Sequence, residues 1–429
     1  MDGLNRRKFL AAGALAAPAI GVGAGVAAAQ PEAEAGAGFW RPPVRTGADQ
    51  LAAGGWRALA GKKVGIVTNP TGVLSDMRHI VDAMADSKKV NIVGVFGPEH
   101  GFRGTAQAGG SEGEFIDPRT KLRVFDAYGI NATKLAELYK KAGVDTVVFD
   151  IGDAGVRFYT YIWMLYTAMH AAILAGNLPV IVLDRPNPIG GQAFGPQLDP
   201  KHSSGVGRKP IALRHGMTMG ELARLYNDTF LPQETGSKVT QLDVVEVRGW
   251  RRDSLFSDTG LLWVPPSPNV PTPDTVLAYP GTCLFEGTLW SEGRGTTRPF
   301  EIIGAPKVDW RWAEALNGYR MPGVLFREMY FQPTFNKHVG VNCGGVQLMI
   351  TDKRRFEPIR AGVAMLVEAK KLYPGLFAWR TDNFIAKLWG TDRLKDMVER
   401  GAGVDEIVGS YQAEEADFRR HRAKYLIYR

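Results

Sequence analysis

The chain has 429 residues, 45% hydrophobic and 22% charged, and a formal net charge of +8. That apolar content excludes a disordered chain, and the length is ample for two domains and a sizeable core. The positive excess is spread along the sequence, with no dense Lys/Arg cluster among aromatics. Nucleic acid is therefore an unexpected partner, whereas anionic substrates or a cell-wall setting suit a mild positive balance.

Residues 1–29 read as an export signal. Asn5-Arg6-Arg7-Lys8-Phe9-Leu10 leads into an Ala/Gly-rich apolar run that ends Val26-Ala27-Ala28-Ala29 before Gln30. A basic start, a short apolar stretch and a small-residue cleavage site make a signal peptide, and the paired arginines make it a twin-arginine signal. The alternative is a membrane anchor, for which so many small residues give weak drive. The expected location is periplasmic or secreted. Cleavage would leave +6, because the signal holds three basic and one acidic residue. No second long apolar stretch follows, so no stable membrane span is expected. Residues 30–48, rich in Ala, Gly, Pro and Glu, read as a linker.

From there, short apolar β-rich runs alternate with helical patterns. Strands are predicted at Val64–Thr68, Val90–Phe96, Asp145–Ile151, Pro179–Asp184 and Leu242–Val247. Helices are predicted at His79–Ala85, Ala132–Ala142, Tyr161–Ala175 and Met219–Tyr226. This alternation predicts an α/β fold: a Rossmann-like, doubly wound, mostly parallel sheet over residues 49–262. The prolines at 265, 266, 268, 271 and 273 forbid regular helix or central strand there. They mark the start of a second, smaller α/β domain, residues 263–429, with a strand at Val341–Ile350 and helices over Glu357–Lys371 and much of 381–425.

Cys283 and Cys343 could be joined in an exported protein or stand as two buried, small apolar residues. The seven histidines are scattered and no metal-ligand spacing exists, so neither a metal nor a cofactor is expected.

The unusual residues fall at strand ends. Asn69-Pro70 follows the first strand, Gly97-Pro98-Glu99-His100-Gly101 the second, Asp150 to Arg157 the third, and Asp184-Arg185-Pro186-Asn187-Pro188 the fourth. Ligands of open parallel sheets bind outside the carboxyl ends of the strands. Ordinary turn chemistry accounts for the Gly, Pro and Asn but does not call for Glu99, His100, Arg157 or Arg185. A partly desolvated carboxyl at Glu99 suits general-acid work, with His100 orienting it; a capping or salt-bridging carboxylate is the bland alternative. Arg103 lies in the same loop. Arg157, Tyr159 and Tyr161 alternate at a spacing of two, as a platform for an acidic sugar would; a packed helix start is the alternative. Past the prolines lie Asn269, Glu286, Glu292 and Arg294. Glycosidases usually need two acids, so Asp150, Asp153, Glu286 and Glu292 are candidates for the second. Gly109-Gly110-Ser111-Glu112-Gly113 matches G-x-S-x-G, but its flanks read as loop rather than as the strand and helix that an esterase or amidase elbow at Ser111 needs.

G-P-E-H-G-F-R-G, D-I-G-D-A-G-V-R-F-Y-T-Y, L-D-R-P-N-P, S-P-N-V-P-T, F-E-G-T and S-E-G-R-G-T-T-R-P-F-E-I-I-G-A-P, in that order, resemble the NamZ family of exo-β-N-acetylmuramidases. The resemblance runs from about residue 50 to the C-terminus. It implies a Rossmann-like domain followed by a smaller one, with the cleft between them. It implies release of terminal β-1,4-linked N-acetylmuramic acid from the non-reducing end of peptidoglycan fragments, with Glu99 as the essential glutamate. Gly152 stands where the family tends to have Gln, and Val270 where it tends to have Met. Arg157 or Arg294 would then pair with the lactyl carboxylate of muramic acid. Substrate assistance by the 2-acetamido group remains open beside a second carboxylate, and a periplasmic sugar-binding protein remains the non-enzymatic alternative.

Overall fold

The computed structural model describes residues 43–429; the residues read as a signal and most of those read as a linker lie outside the described residues. The strands are β1 (Lys63–Thr68), β2 (Asn91–Gly97), β3 (Phe115–Ile116), β4 (Arg123–Asp126), β5 (Thr146–Asp150), β6 (Val180–Leu183), β7 (Phe194–Gln197), β8 (Ala212–Arg214), β9 (Leu242–Val245), β10 (Ile302–Ala305), β11 (Val324–Phe331) and β12 (Cys343–Ile350). Seven of them form one sheet in the order β3-β4-β2-β1-β5-β6-β9. All pairings in it are parallel except that of β3 with β4.

Strand alternation divides the apolar residues between the two faces of this sheet. Val67, Phe96, Val147, Phe149 and Val182 pack with the helices Ala132–Ala142 and Tyr161–Leu174. Val64, Ile66, Val95, Val148 and Ile181 pack with the helices Gly47–Ala53 and Ile80–Ser87. Helices therefore cover both faces, as the alternation of elements predicted. Residues 43–48, assigned to the linker, are part of this packing: Thr46 caps the Gly47–Ala53 helix, and Val44 donates its amide to Thr259 O at 3.1 Å.

The order of strands reverses around β1. β2 lies on one side of it and β5 on the other, so the loops leaving these three strands flank one crevice.

The second part holds a three-stranded antiparallel sheet, β10-β12-β11, against the helix Arg311–Gly318, which packs in turn on the helix Pro358–Leu372. The proline-rich run stays irregular up to Thr272, which caps a helix, Pro273–Thr282, with Pro273 in its first turn. Cys283 and Cys343 are both buried and both free.

Residues 43–429 pack as one compact unit, joined by a continuous apolar cluster and by polar cross-ties. The fully buried guanidinium of Arg157 donates to the carbonyls of Pro196 (2.8 Å), Ile211 (2.9 Å), Leu388 (2.9 Å) and Trp389 (2.7 Å). Gly390 is required beside it, since a Cβ there would stand 2.6 Å from Arg157 Nη2. Arg157 was expected to meet substrate, but its side chain is sealed inside the fold. Its backbone shows why: Arg157 N donates to Leu213 O at 2.7 Å, which turns the side chain towards β7 and β8 and away from the crevice. Burial lowers its pKa to about 9, still cationic at neutral pH. Replacing Arg157 with Met would strand four buried carbonyls, so we expect a loss of at least about 3 kcal/mol in urea unfolding, or no soluble protein. A variant as stable as the parent would contradict this role.

Candidate active site

Glu99 leaves the end of β2 in a loop that folds back on itself. His100 N donates to Gly110 O (3.0 Å), and His100 Nδ1 bonds Ala106 O (2.9 Å). A carbonyl only accepts, so Nδ1 carries the proton. Glu112 closes the loop by accepting from the amides of Arg103 (3.0 Å) and Thr105 (2.9 Å). Gly101 sits at φ +85°, and a Cβ on it would collide with Glu112.

The half-buried Glu99 carboxyl accepts two hydrogen bonds, both from neutral donors. Gly109 N reaches Oε1 at 2.8 Å and Thr160 Oγ1 reaches Oε2 at 2.8 Å. His100, expected to orient Glu99, instead braces its own loop. The G-x-S-x-G stretch supplies the Gly109 donor and the Glu112 clasp, and Ser111 donates to Asp126 Oδ2 at 2.6 Å with no histidine beside it. The serine-nucleophile alternative therefore lacks a hydrogen-bonded histidine.

The loop after β5 carries Asp153. Its Oδ2 accepts from Gly155 N at 2.7 Å and lies 3.5 Å from His215 Nε2, while Oδ1 is buried and unpartnered. His215 Nδ1 accepts from Met217 N at 3.2 Å, so the neutral ring carries its proton on Nε2, towards Asp153. Asp153 lines a cavity of about 300 Å³ together with Thr71, Gly152, Arg185, Trp263 and Pro266. Glu99 is not on that lining. Tyr161 connects the two, because its hydroxyl donates to Pro266 O at 2.7 Å and lies 3.3 Å from Glu99 O.

Tyr159 marks where the groups converge. Burial pushes its phenol well above the usual range, the charges of Tyr161, Asp153 and Glu99 add to that, and Arg294 opposes it. Its hydroxyl is unpartnered, and its ring packs edge-on against Tyr161 (5.3 Å) and Tyr279 (5.7 Å). Tyr279 packs in turn on Phe300, over which the Arg294 guanidinium lies at 5.1 Å. An aromatic wall thus runs from the glutamate loop to Arg294. Asn69 and Asn269 are buried with their Nδ2 atoms unpartnered, which leaves two amide donors.

Residues 64–274 match the N-terminal part, and residues 277–428 the C-terminal part, of the family described as exo-beta-N-acetylmuramidase NamZ. The chain belongs to the NamZ family. It is 44% identical over 390 residues to the peptidoglycan beta-N-acetylmuramidase NamZ of Bacillus subtilis, covering 90% of this chain and 92% of that one. Two crystal structures of DUF1343 family proteins from Bacteroides fragilis are also similar. One has a TM-score of 0.81 at 32% identity and covers 91% of this chain and all of that one. The other has a TM-score of 0.73 at 31% identity, covering 90% and 99%.

Several residues expected to meet a sugar in this NamZ chain are committed elsewhere. Asp150 and Arg185 form a buried two-point ion pair (2.6 and 2.9 Å), which removes Asp150 as a free base. Arg103 is clamped between Asp82 and Asp117, and it holds Asp117 down at about 2 once the opposing effect of burial is overcome. Asn187 fastens its own loop through Met217 O and Ile189 N. Glu292 is buried between Lys337 (2.8 Å), Arg294 (3.3 Å) and Asn336 (3.1 Å), so it cannot serve as the second acid. Glu286 pairs with Arg294 at 2.6 Å, which leaves Arg294 Nη1 unpartnered. Thr160 and Gly109 lie within stretches the sequence singled out, but nothing there marked them as partners of Glu99, and nothing marked out His215. Neutral donors carry no charge signature, and His215 is one histidine among scattered ones.

Asp184 is likewise structural. It is fully buried and accepts from Tyr428 (2.6 Å), Thr218 (2.7 Å), Gly220 N (2.8 Å) and Arg185 N (3.0 Å). Burial pushes its carboxyl from 3.8 up to about 6. The stabilisation from its proton is therefore complete below pH 3.8 and is lost as pH rises through about 6. In Asp184→Asn the new amide can donate to the two hydroxyls, which rotate to accept. Between those pH values the parent should lose stability relative to the variant, by a total on the order of 2–3 kcal/mol in urea titrations. A pH-independent difference would contradict the assignment.

Proposed function

We propose that this chain is an exo-acting β-N-acetylmuramidase that releases terminal β-1,4-linked N-acetylmuramic acid from peptidoglycan fragments. The observation that carries the proposal is Glu99: a half-buried carboxyl at the strand-order reversal, held only by neutral donors. Among the described residues no cation pairs with it, which leaves it for general-acid work. Glu99 gives that proton to the glycosidic oxygen as the bond to the anomeric carbon breaks. Water adds to that carbon, and its proton passes to Asp153 Oδ1, whose carboxyl is held by Gly155 N with His215 Nε2 3.5 Å away. Tyr159 OH and the free amides of Asn69 and Asn269 are the donors for the sugar. Arg294 Nη1 takes the lactyl carboxylate, so a glucosamine lacking that group leaves a buried donor unpaired and is refused.

At position 152 a Cβ would make only ordinary contact with Thr71, 3.4 Å away. Glycine there is thus not a backbone requirement. It widens the cavity beside Asp153 and Arg185, and we assign it to substrate preference. We further propose that the paired arginines near the amino end direct the chain out by the twin-arginine route, to the periplasm or medium where such fragments occur. Among the described residues no helix is long and apolar enough to cross a membrane.

Incubation with a MurNAc-GlcNAc disaccharide tests the proposal. We expect the parent to split it and Glu99→Gln to do so about 10²–10⁴-fold more slowly with an unchanged melting temperature. Recovery of the intact disaccharide from the parent would make the chain a sugar-binding protein. Asp153→Asn should lower kcat with little change in KM and flatten one limb of the pH–rate profile. A variant with the parent's kcat and profile would remove Asp153 from the mechanism.

A further inference from the structure

A second cavity, of about 550 Å³, shares no lining residue with the first. It lies between Ile189–Phe194, Arg252–Leu255 and the start of the Pro358–Leu372 helix. We propose that it binds the phosphate group of a phosphorylated small molecule, of the sugar-phosphate or nucleotide class.

Charge is the first argument. Arg214, Arg252, Lys353, Arg354, Arg355 and Arg360 line the cavity against two carboxylates, Asp253 and Glu357. Four of the six cations are already neutralised: Arg252 by Glu221, Lys353 by Asp274, Arg354 by Asp258 and Arg360 by Asp405. Arg214 and Arg355 have no ion-pair partner among the described residues. Arg214 is the telling one. It is only 9% exposed, its guanidinium donates to Ile189 O, and its Nε has no partner. The neighbouring charge is that of another cation, Arg422. A buried cation with one carbonyl, the Phe194 ring and a second cation around it is costly to keep, and an incoming anion relieves that cost.

Helix geometry is the second argument. The 15-residue helix begins at the cavity wall, with Glu357, Pro358, Ile359 and Arg360 all on the lining, and no side chain caps its amino end. The unsatisfied amides and positive dipole end of a helix of this length favour phosphate. Arg214, Arg355 and that dipole, set against the one lining carboxylate without an ion-pair partner among the described residues, Glu357, leave a net positive field that suits the anionic phosphate group. The volume lies in the range of organic-ligand sites, and Phe194, Leu255, Phe356 and Tyr411 give the organic part an apolar wall. The site also abuts the catalytic one: Arg214 ends β8 and lines this cavity, while the next residue, His215, faces Asp153.

Calorimetric titration of the full chain with glucose 1-phosphate tests the proposal, with glucose and citrate as controls. We expect saturable binding of the phosphate ester and none of glucose. Arg355→Ala, which removes an exposed side chain, should weaken it about tenfold by losing one charge-assisted contact. Arg214→Gln, if folded, should abolish it. Glu99→Gln should bind the ester as the parent does, which separates this site from the proposed muramidase centre. No saturable binding, unchanged affinity in Arg355→Ala, or citrate binding without binding of the ester would each overturn the proposal.

Discussion

A carboxyl group clasped by one amide and one hydroxyl, each from a different loop, is the constraint around which the site is arranged. Gly109 and Thr160 reach the two oxygens of Glu99 from opposite sides. They can meet there because β2 and β5 both pair in parallel with β1, so the loops leaving them open at the same end of the sheet. Both donors are neutral, and the Thr160 hydroxyl can turn to accept, so the carboxyl keeps its direction with or without a proton. A lysine or arginine in either place would hold it ionised and end its use as an acid.

Such a loose electrostatic setting is stable only if the surroundings are rigid. The rigidity comes from charged groups whose partners lie inside the fold. Arg157 gathers four carbonyls from both parts of the chain. Asp184 draws Tyr428, next to the last residue, onto the end of β6. Asp150 and Arg185 lock the loops after β5 and β6 together. Each is a charged group in or beside a loop after a strand, and its hydrogen bonds stay inside the protein, although Arg157 Nε is left without a partner.

That distinction explains what the sequence could and could not reveal. Alternating apolar runs made the parallel sheet legible, because burial on both faces leaves a continuous apolar signature at β1, β5 and β6. The short strands β7, β8 and β10 left no such signature, and the helix at Pro273–Thr282 was hidden by the prolines that begin and interrupt it. Glycine, arginine and aspartate at strand ends look alike in sequence whether they face a ligand or a carbonyl. Hence Glu99 and Asp153 stood level with Arg157 and Asp184, although the first pair keeps unpaired or neutral surroundings and the second is consumed by the fold. Gly109 to Gly113 was legible as a loop, but its service to Glu99 depends on a backbone amide, which residue identity does not announce.

The most direct measurement is a crystal structure of Glu99→Gln with a bound MurNAc-GlcNAc disaccharide. The account predicts the glycosidic oxygen within hydrogen-bonding distance of the substituted side chain, the muramic ring within reach of Tyr159 and Asp153, and the lactyl carboxylate at Arg294. A disaccharide seated with its glycosidic bond away from that side chain would contradict it.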